Sequence, residues 1–435
     1  MKKKLFLLLI FFIFSFVSCV SNSQLHTVFV TEAQNGNYEL AYTNIQDAPK
    51  NLYSSYDDVL KMLDLGLLAH YSGLNQESVN YLNQAENLIY EKYSKSVTQN
   101  ISSYLLNDNV IDYTGEEYED IYVNLFKCLS FIAEEEYDSA FVEIRRFNNK
   151  LKTLSVKYQE KIYEVKNHAK IETEALNQDD YKINFYDSVF ARYLSMILYL
   201  YEGDVDSAKI DYNYLISAFN TQKKLYDFSF PKQIEENFKT EKNKVRLNAV
   251  AFSGIAPRKY EESISNIYYG FKIALPVMKD VNSNVATITL MIVNQETGEV
   301  YKKQFEKIES ISNIAIDTFK QKQSLIYTKS IARAILKTGT TSMLENYKEE
   351  KNSPTLEILH AISLISNQIT EVADVRTSKY FPSSVYISGI DLFPGKYDIC
   401  VSYKSSSGTE LYRKVFNDYD VSNKKLNFLE AVCLK

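Results

Sequence analysis

Four histidines (His26, His70, His168, His360) and four cysteines (Cys19, Cys128, Cys400, Cys433) are the obvious candidates for metal or proton-transfer chemistry in these 435 residues. No two of the histidines have the spacing of ligands on one helix turn or hairpin, and none lies close to a cysteine in sequence. His70 falls inside an apolar helical pattern and reads as packed or solvent-facing. There is no G-x-S-x-G, no Walker motif and no dinucleotide fingerprint. The run Gly254-Ile255-Ala256-Pro257-Arg258-Lys259 has the outline of a phosphate loop. Pro257 and the missing second glycine, however, remove the nest of backbone N–H groups that would cradle the anion. The acidic runs Glu116-Glu117 with Glu119-Asp120, and Glu134 to Glu136 with Asp138, lack the central Gly and terminal Glu of a calcium loop, so solvated helix ends are expected. No catalytic residue, metal ligand or cofactor is therefore assigned. Arg146, Arg192, Arg258 and Arg376 are the candidate interaction residues; each could clamp carboxylates or helix carbonyls between parts of the fold, or hold a ligand.

The elements that must position these residues divide the chain in two. A hydrophobic content of 45% with 24% charged residues is that of a folded protein, and a net charge of −6 argues against a nucleic-acid partner. From about residue 28 to 243 the apolar period is helical, with small residues where paired helices would cross. Leu65-Gly66, Gly73, Ser78, Leu82 and Ala85 fit one tetratricopeptide-type unit. Gly36 with Ala41 fits the unit before it, Cys128, Tyr137 and Ala140 a central one, and Tyr199, Gly203, Ala208 and Tyr212 a last one. Between the last two, Tyr137 to Leu176 reads as an elongated helix. Stacked pairs of this kind expose a concave groove.

From about 244 to 435 the period changes to alternation. Strands are expected at Val245–Phe252, Tyr268–Leu275, Val285–Val293 and Glu299–Phe305, and again at Ser384–Leu392, Tyr397–Tyr403, Leu411–Phe416 and Lys425–Val432. Three helices, Asn313–Gln323, Ile326–Lys348 and Pro354–Glu371, separate the two groups. The expected fold is α+β: an N-terminal tetratricopeptide-like α-solenoid followed by a β-sandwich-like domain with a helical insertion. Cys400 and Cys433 lie on strands of one domain, and a disulfide between them is open.

The N-terminus bears on the compartment. Lys2, Lys3 and Lys4 precede an apolar run, Leu5 to Phe16, of signal-peptide length. Phe16-Val17-Ser18-Cys19 resembles a bacterial lipobox, with Phe16 where Leu is usual. Residues 1–18 are then a lipoprotein signal peptide, Cys19 the site of diacylglycerol and palmitate-type acylation, and 19–27 a short tether. Multiple acyl chains give stable membrane attachment. The expected location is the bacterial cell envelope, on the periplasmic or surface face, and Val20 after the cysteine favours the outer membrane.

Several ordered stretches carry a wider resemblance. They are Asn107-Asp108 with Tyr113, Gly115 and Tyr118-Glu119; Val142-Glu143-Ile144-Arg145-Arg146 with Asn148; and Phe190 to Ser195 with Gly203-Asp204 and Ala208. Further on come Gly254 with Ala256 to Lys259, Ile273 to Pro276, Ile331 to Ala334 with Lys337, and Asp374 to Thr377 with Phe381-Pro382 and Pro394-Gly395. Over nearly the whole mature chain this resembles an uncharacterised family of bacterial lipoproteins with tetratricopeptide-like helices and a C-terminal α+β domain. Val189, Tyr380 and Phe381 depart from its pattern. The resemblance implies no enzyme activity. The expected function is an exported, lipid-anchored scaffold or adaptor whose helical groove binds another cell-envelope protein. The alternative is a receptor for a soluble peptide or glycan.

Overall fold

The computed structural model describes residues 22–49, 52–98, 112–169, 182–266, 271–338 and 373–435. Helices fill the N-terminal part: α1 (Asn22–Gln34), α2 (Tyr38–Gln46), α3 (Asp58–Tyr71), α4 (Asn75–Thr98), α5 (Glu117–Ala133), α6 (Tyr137–Leu154), α7 (Gln159–Ala169), α8 (Val189–Glu202) and α9 (Val205–Thr221), then a short 3-10 helix, Lys232–Phe238. The C-terminal part holds β1 (Val245–Ser253), β2 (Arg258–Asn266), β3 (Phe271–Lys279), β4 (Thr287–Asn294), β5 (Val300–Gln304) and β6 (Glu306–Ser310). Helix α10 (Ile311–Thr338) follows, then β7 (Ser384–Leu392), β8 (Gly395–Lys404), β9 (Glu410–Val421) and β10 (Asn427–Cys433). The architecture is α+β.

One turn geometry closes four helix pairs, α1/α2, α3/α4, α5/α6 and α8/α9. Gly36, Gly73, Glu135 and Gly203 all have positive φ. The N–H that follows each reaches back to a carbonyl of the last helical turn: Asn37 to Glu32, Leu74 to Ala69, Glu136 to Phe131, Asp204 to Tyr199. This closure satisfies carbonyls that the helix end would otherwise orphan. One turn into each second helix stands a small, fully buried side chain, namely Ala41, Ser78, Ala140 and Ala208. Gly66 does the same on α3. A Cβ there would stand 2.6 Å from Leu82 Cδ2 and 3.3 Å from the Leu82 backbone nitrogen, so α3 and α4 cross at backbone contact.

Strands β10-β1-β7-β6 form one sheet, β5-β4-β8-β9 a second, and β2-β3 a separate ribbon. β1 runs parallel to β10 and antiparallel to β7. Alternation assigns each face of the first sheet. Val250 and Phe252 of β1, Val385 and Ile387 of β7 and Val432 of β10 join the helical core. Leu247, Ala249 and Ala251 of β1, with Leu429 and Ala431 of β10, join Ile288, Leu290, Ile399 and Val401 of the second sheet. Among the described residues the first sheet thus lies between the helices and the second sheet, and β1 is apolar along most of its length because both its faces are covered.

Several expectations are corrected. The helix begun at Tyr137 stops at Leu154 and is succeeded by α7, while residues 170–176 lie outside the described region. Helix α1 starts at Asn22, inside the stretch expected to be a tether. One continuous helix replaces the first expected insertion helix and the start of the second; the third lies outside the described residues, as do Cys19 and His360. Strands β2 and β6 went unforeseen because RKYEESISN and EKIES carry little apolar alternation. Cys128, Cys400 and Cys433 are free thiols. Cys433 points into the inter-sheet core with Ile399 and Val401, whereas Cys400 falls between those two on β8 and so faces outward.

Candidate functional site

Chemistry-bearing side chains concentrate along the seam where α3, α5 and α8 lie on the first sheet. That seam is apolar, so each polar group in it needs a partner. Three knots provide them.

In the first, His70 of α3 has Nδ1 2.8 Å from Ser130 Oγ of α5, and Nε2 2.9 and 3.1 Å from the two carboxylate oxygens of Glu430 on β10. A serine, an imidazole and a carboxylate in a row have the composition of a hydrolase relay. Here Ser130 is 0% exposed, in the last turn of α5 and beneath the sheet, so its hydroxyl is not open to a substrate carbonyl. The row joins three elements instead.

In the second, Glu309 of β6 is fully buried and accepts from Tyr122 (2.5 Å), Ser188 Oγ (2.7 Å), Tyr226 (3.0 Å) and the Phe190 N–H (3.1 Å). Ser188 also caps α8 by accepting from Ala191 N–H at 3.0 Å. The carboxylate therefore sits at a helix N-terminus, where the macrodipole favours it. Burial raises its pKa, and the four donors oppose that rise.

The third knot is the largest and gathers residues from distant parts of the sequence. Glu119 Oε2 accepts from Tyr113 (2.5 Å) and the Glu116 N–H (2.8 Å), while Oε1 accepts from the Ser378 N–H (2.7 Å). Asp64 of α3 accepts from Tyr53 (2.8 Å) and from Ser378 Oγ (2.6 Å). Lys259 Nζ meets Glu116 at 2.7 Å with both side chains almost wholly buried, and Lys322 adds a second contact to Glu116 at 3.1 Å. Arg376 forks onto Asp374 (2.9 and 3.0 Å) and reaches Asp57 (2.8 Å), its guanidinium over the Tyr113 ring. Burial, reinforced by the Glu116 charge, pushes Glu119 up to about 7. Burial raises Asp64 to about 6. For Asp374 burial is outweighed by Lys259 and Arg376, which hold it well below the usual carboxylate range. The expectation of a solvated acidic helix end fails here: Glu116, Glu117 and Glu119 are buried. Glu134 to Glu136 and Asp138 are exposed.

The four candidate arginines separate. Arg146 lies on Glu143 at 3.1 Å, at the edge of an ion lattice where buried Lys127 meets Glu86 (2.6 Å) and Glu143 (2.9 Å). Within it Glu86 falls to about 2, because Lys150 and Lys127 outweigh the effect of burial. Arg192 bridges Asp187 and Asp211, each at 2.9 Å, with the Tyr214 ring against it. Arg376 belongs to the third knot. Arg258 is different: its Nε is buried without a hydrogen-bond partner.

Sequence reasoning missed Asp64, Glu119, Lys259 and Glu309 as members of a site. A partial signal existed. The stretch with Tyr113 and Glu119, the one with Ala256 to Lys259 and the one with Asp374 and Arg376 were each singled out, and the fold brings all three to one place. No family model, curated protein or solved structure matches this chain. Among the described residues no helix is long and apolar enough to cross a membrane.

Proposed function

We propose that the chain is an exported, lipid-anchored scaffold or adaptor without enzymatic activity, acylated at Cys19 and docked to another cell-envelope protein through its helical layer. On this proposal the four helix pairs form a tetratricopeptide-like array, the two sheets a β-sandwich-like backing, and the whole is related to the lipoprotein family that the sequence resembles. The inner faces of α3, α5 and α8 are covered by the chain's own sheet, so the docking surface moves from the groove to the outer faces of the second helices. One observation carries this: Ile210 (56% exposed) and Tyr214 (51% exposed) stand one turn apart on α9, with the Arg192 guanidinium 4.6 Å from the Tyr214 ring centre. Aromatic and arginine side chains on a firmly backed helix are the usual composition of a protein-binding hot spot.

The test is in-cell crosslinking from a photoreactive residue at position 210, followed by identification of the adduct from detergent-solubilised membranes. A single protein adduct, lost with Tyr214→Glu, is expected. Recovery of lipid or sugar alone overturns the proposal. If instead a soluble peptide or glycan raises the thermal stability of the purified chain, the molecule is a receptor.

A further inference from the structure

We propose that one corner of the molecule, made by the first turns of α1, residues 52–57 and residues 374–376, rests on a phospholipid bilayer and sets the orientation of the chain on it. This rests on acylation of Cys19, as in the proposed function, and then on covalent reach. Helix α1 begins at Asn22. Three residues extend at most about 11 Å, so acyl chains on Cys19 hold the start of α1 against the headgroups. The loop before α3 is fixed to that start: His26 Nε2 lies 3.3 Å from the Leu52 carbonyl, and its ring stands edge-on to Tyr53 at 5.0 Å. Residues 374–376 are fixed to the same loop, because Arg376 meets Asp57 at 2.8 Å and Asp374 at 2.9 Å. Side chains that this corner exposes therefore meet the bilayer interface.

What the corner exposes suits that place. Val28 on α1, Tyr56 in the loop and Val375 beside Arg376 are 49%, 40% and 43% exposed. A tyrosine ring, apolar in body and polar at its tip, settles at headgroup level. The two valines add apolar surface whose burial strengthens attachment.

The opposite end of the helical layer is unsuited to a bilayer. The open ends of the helix pairs gather on the anchored side. The Tyr113 N–H donates to the Tyr56 carbonyl at 2.8 Å, tying the approach to α5 to that of α3. Lys157, just past α6, meets Glu117 at the start of α5 at 2.8 Å. Gln222, just past α9, donates to the Asp187 carbonyl before α8 at 2.8 Å. The four turns stand a helix length away, about 20 Å for the 13 residues of α1. Glu134, Glu135, Glu136 and Asp138 are exposed at the third turn, and Asp204 and Asp206 at the fourth. Anionic headgroups repel such an end. Tether and charge therefore favour the same orientation, which leaves Ile210, near the start of α9, clear of the lipid.

The chain contains no tryptophan, so a single introduced one is the sole reporter of its kind. Tyr56→Trp and Val375→Trp report on the corner, and Tyr201→Trp, beside the fourth turn, on the far end. Each full-length variant is purified with its anchor, acylation is read by intact mass, and folding is checked by circular dichroism. The protein is then reconstituted into phosphatidylcholine vesicles carrying a headgroup nitroxide lipid, with and without phosphatidylglycerol. Emission from both corner reporters should be quenched several-fold more than emission from Tyr201→Trp in either vesicle. With the acyl chains present, equal quenching of all three reporters, stronger quenching at position 201, or none at any position overturns the inference. Corner reporters that stay bright while position 56 crosslinks to protein in cells overturn it too, and show that a protein covers the corner. Absence of acyl chains on the mature protein is a separate result: it removes the anchor from the proposed function, and this orientation falls with it.

Discussion

Replacing Glu119 with Gln should change the pH dependence of stability more than stability itself. The Glu119 carboxyl moves from an ordinary 4.5 to about 7 on folding, chiefly through burial. Below pH 4.5 it is protonated in both states and costs nothing. As pH rises, the unfolded chain releases the proton while the folded chain keeps it, so stability falls by about 1.4 kcal/mol per pH unit. The fall ends near pH 7, where the folded carboxyl ionises too. The contribution lost across that window is about 3 kcal/mol. Gln cannot titrate, but its NH2 must face the N–H of either Glu116 or Ser378, which now meet a carboxylate oxygen at 2.8 and 2.7 Å. That mismatch costs about 1–3 kcal/mol at every pH. The variant should therefore be the weaker protein at pH 4.5 and equal or better by pH 8. Asp64 titrates in the same region but is present in both proteins and drops out of the difference. Urea unfolding followed by circular dichroism between pH 4.5 and 8 measures it. Stability curves that run parallel, or a parent that gains on the variant as pH rises, would refute the reasoning.

Four further outcomes follow from the geometry. Gly66→Ala should destabilise by about 1–3 kcal/mol through overpacking against Leu82, and adding Leu82→Ala should cost less than the sum of the two single changes, as a double-mutant cycle by denaturant unfolding would show. Glu135→Gly should stabilise by about 1 kcal/mol, since Glu135 holds φ 60 where three of the four equivalent turns use glycine; an unchanged or lowered unfolding midpoint counts against the shared turn. Arg376→Ala should cost about 1–3 kcal/mol, a range reduced for a side chain that is 27% exposed. Arg376→Lys should not restore it, and the loss should shrink in acid as Asp374 and Asp57, whose folded pKa values are depressed, take up protons. Cys19→Ser should move the protein out of the membrane fraction, and intact-mass measurement of the parent should show added acyl chains.

Ala41, Ser78, Ala140 and Ala208 were legible in the sequence because a crossing of two helices within one hairpin is a local event, fixed by residues a few turns apart. The strands from Ser384 onward were visible for the same reason, since each alternates on its own. Tertiary structure alone decided which charges are buried. Nothing in the acidic helix start Glu116-Glu117-Tyr118-Glu119 reveals that Lys259, 143 residues further along the chain, will seal Glu116. Nor does it reveal that the Ser378 N–H will donate to Glu119. A side chain's charge is written in the sequence, but its partner is not, and burial of a charge is tolerable only once that partner is in place. The covering of α3, α5 and α8 by the sheet has the same origin. An apolar helix face announces that it will be buried, and only the packing of the whole chain settles what buries it.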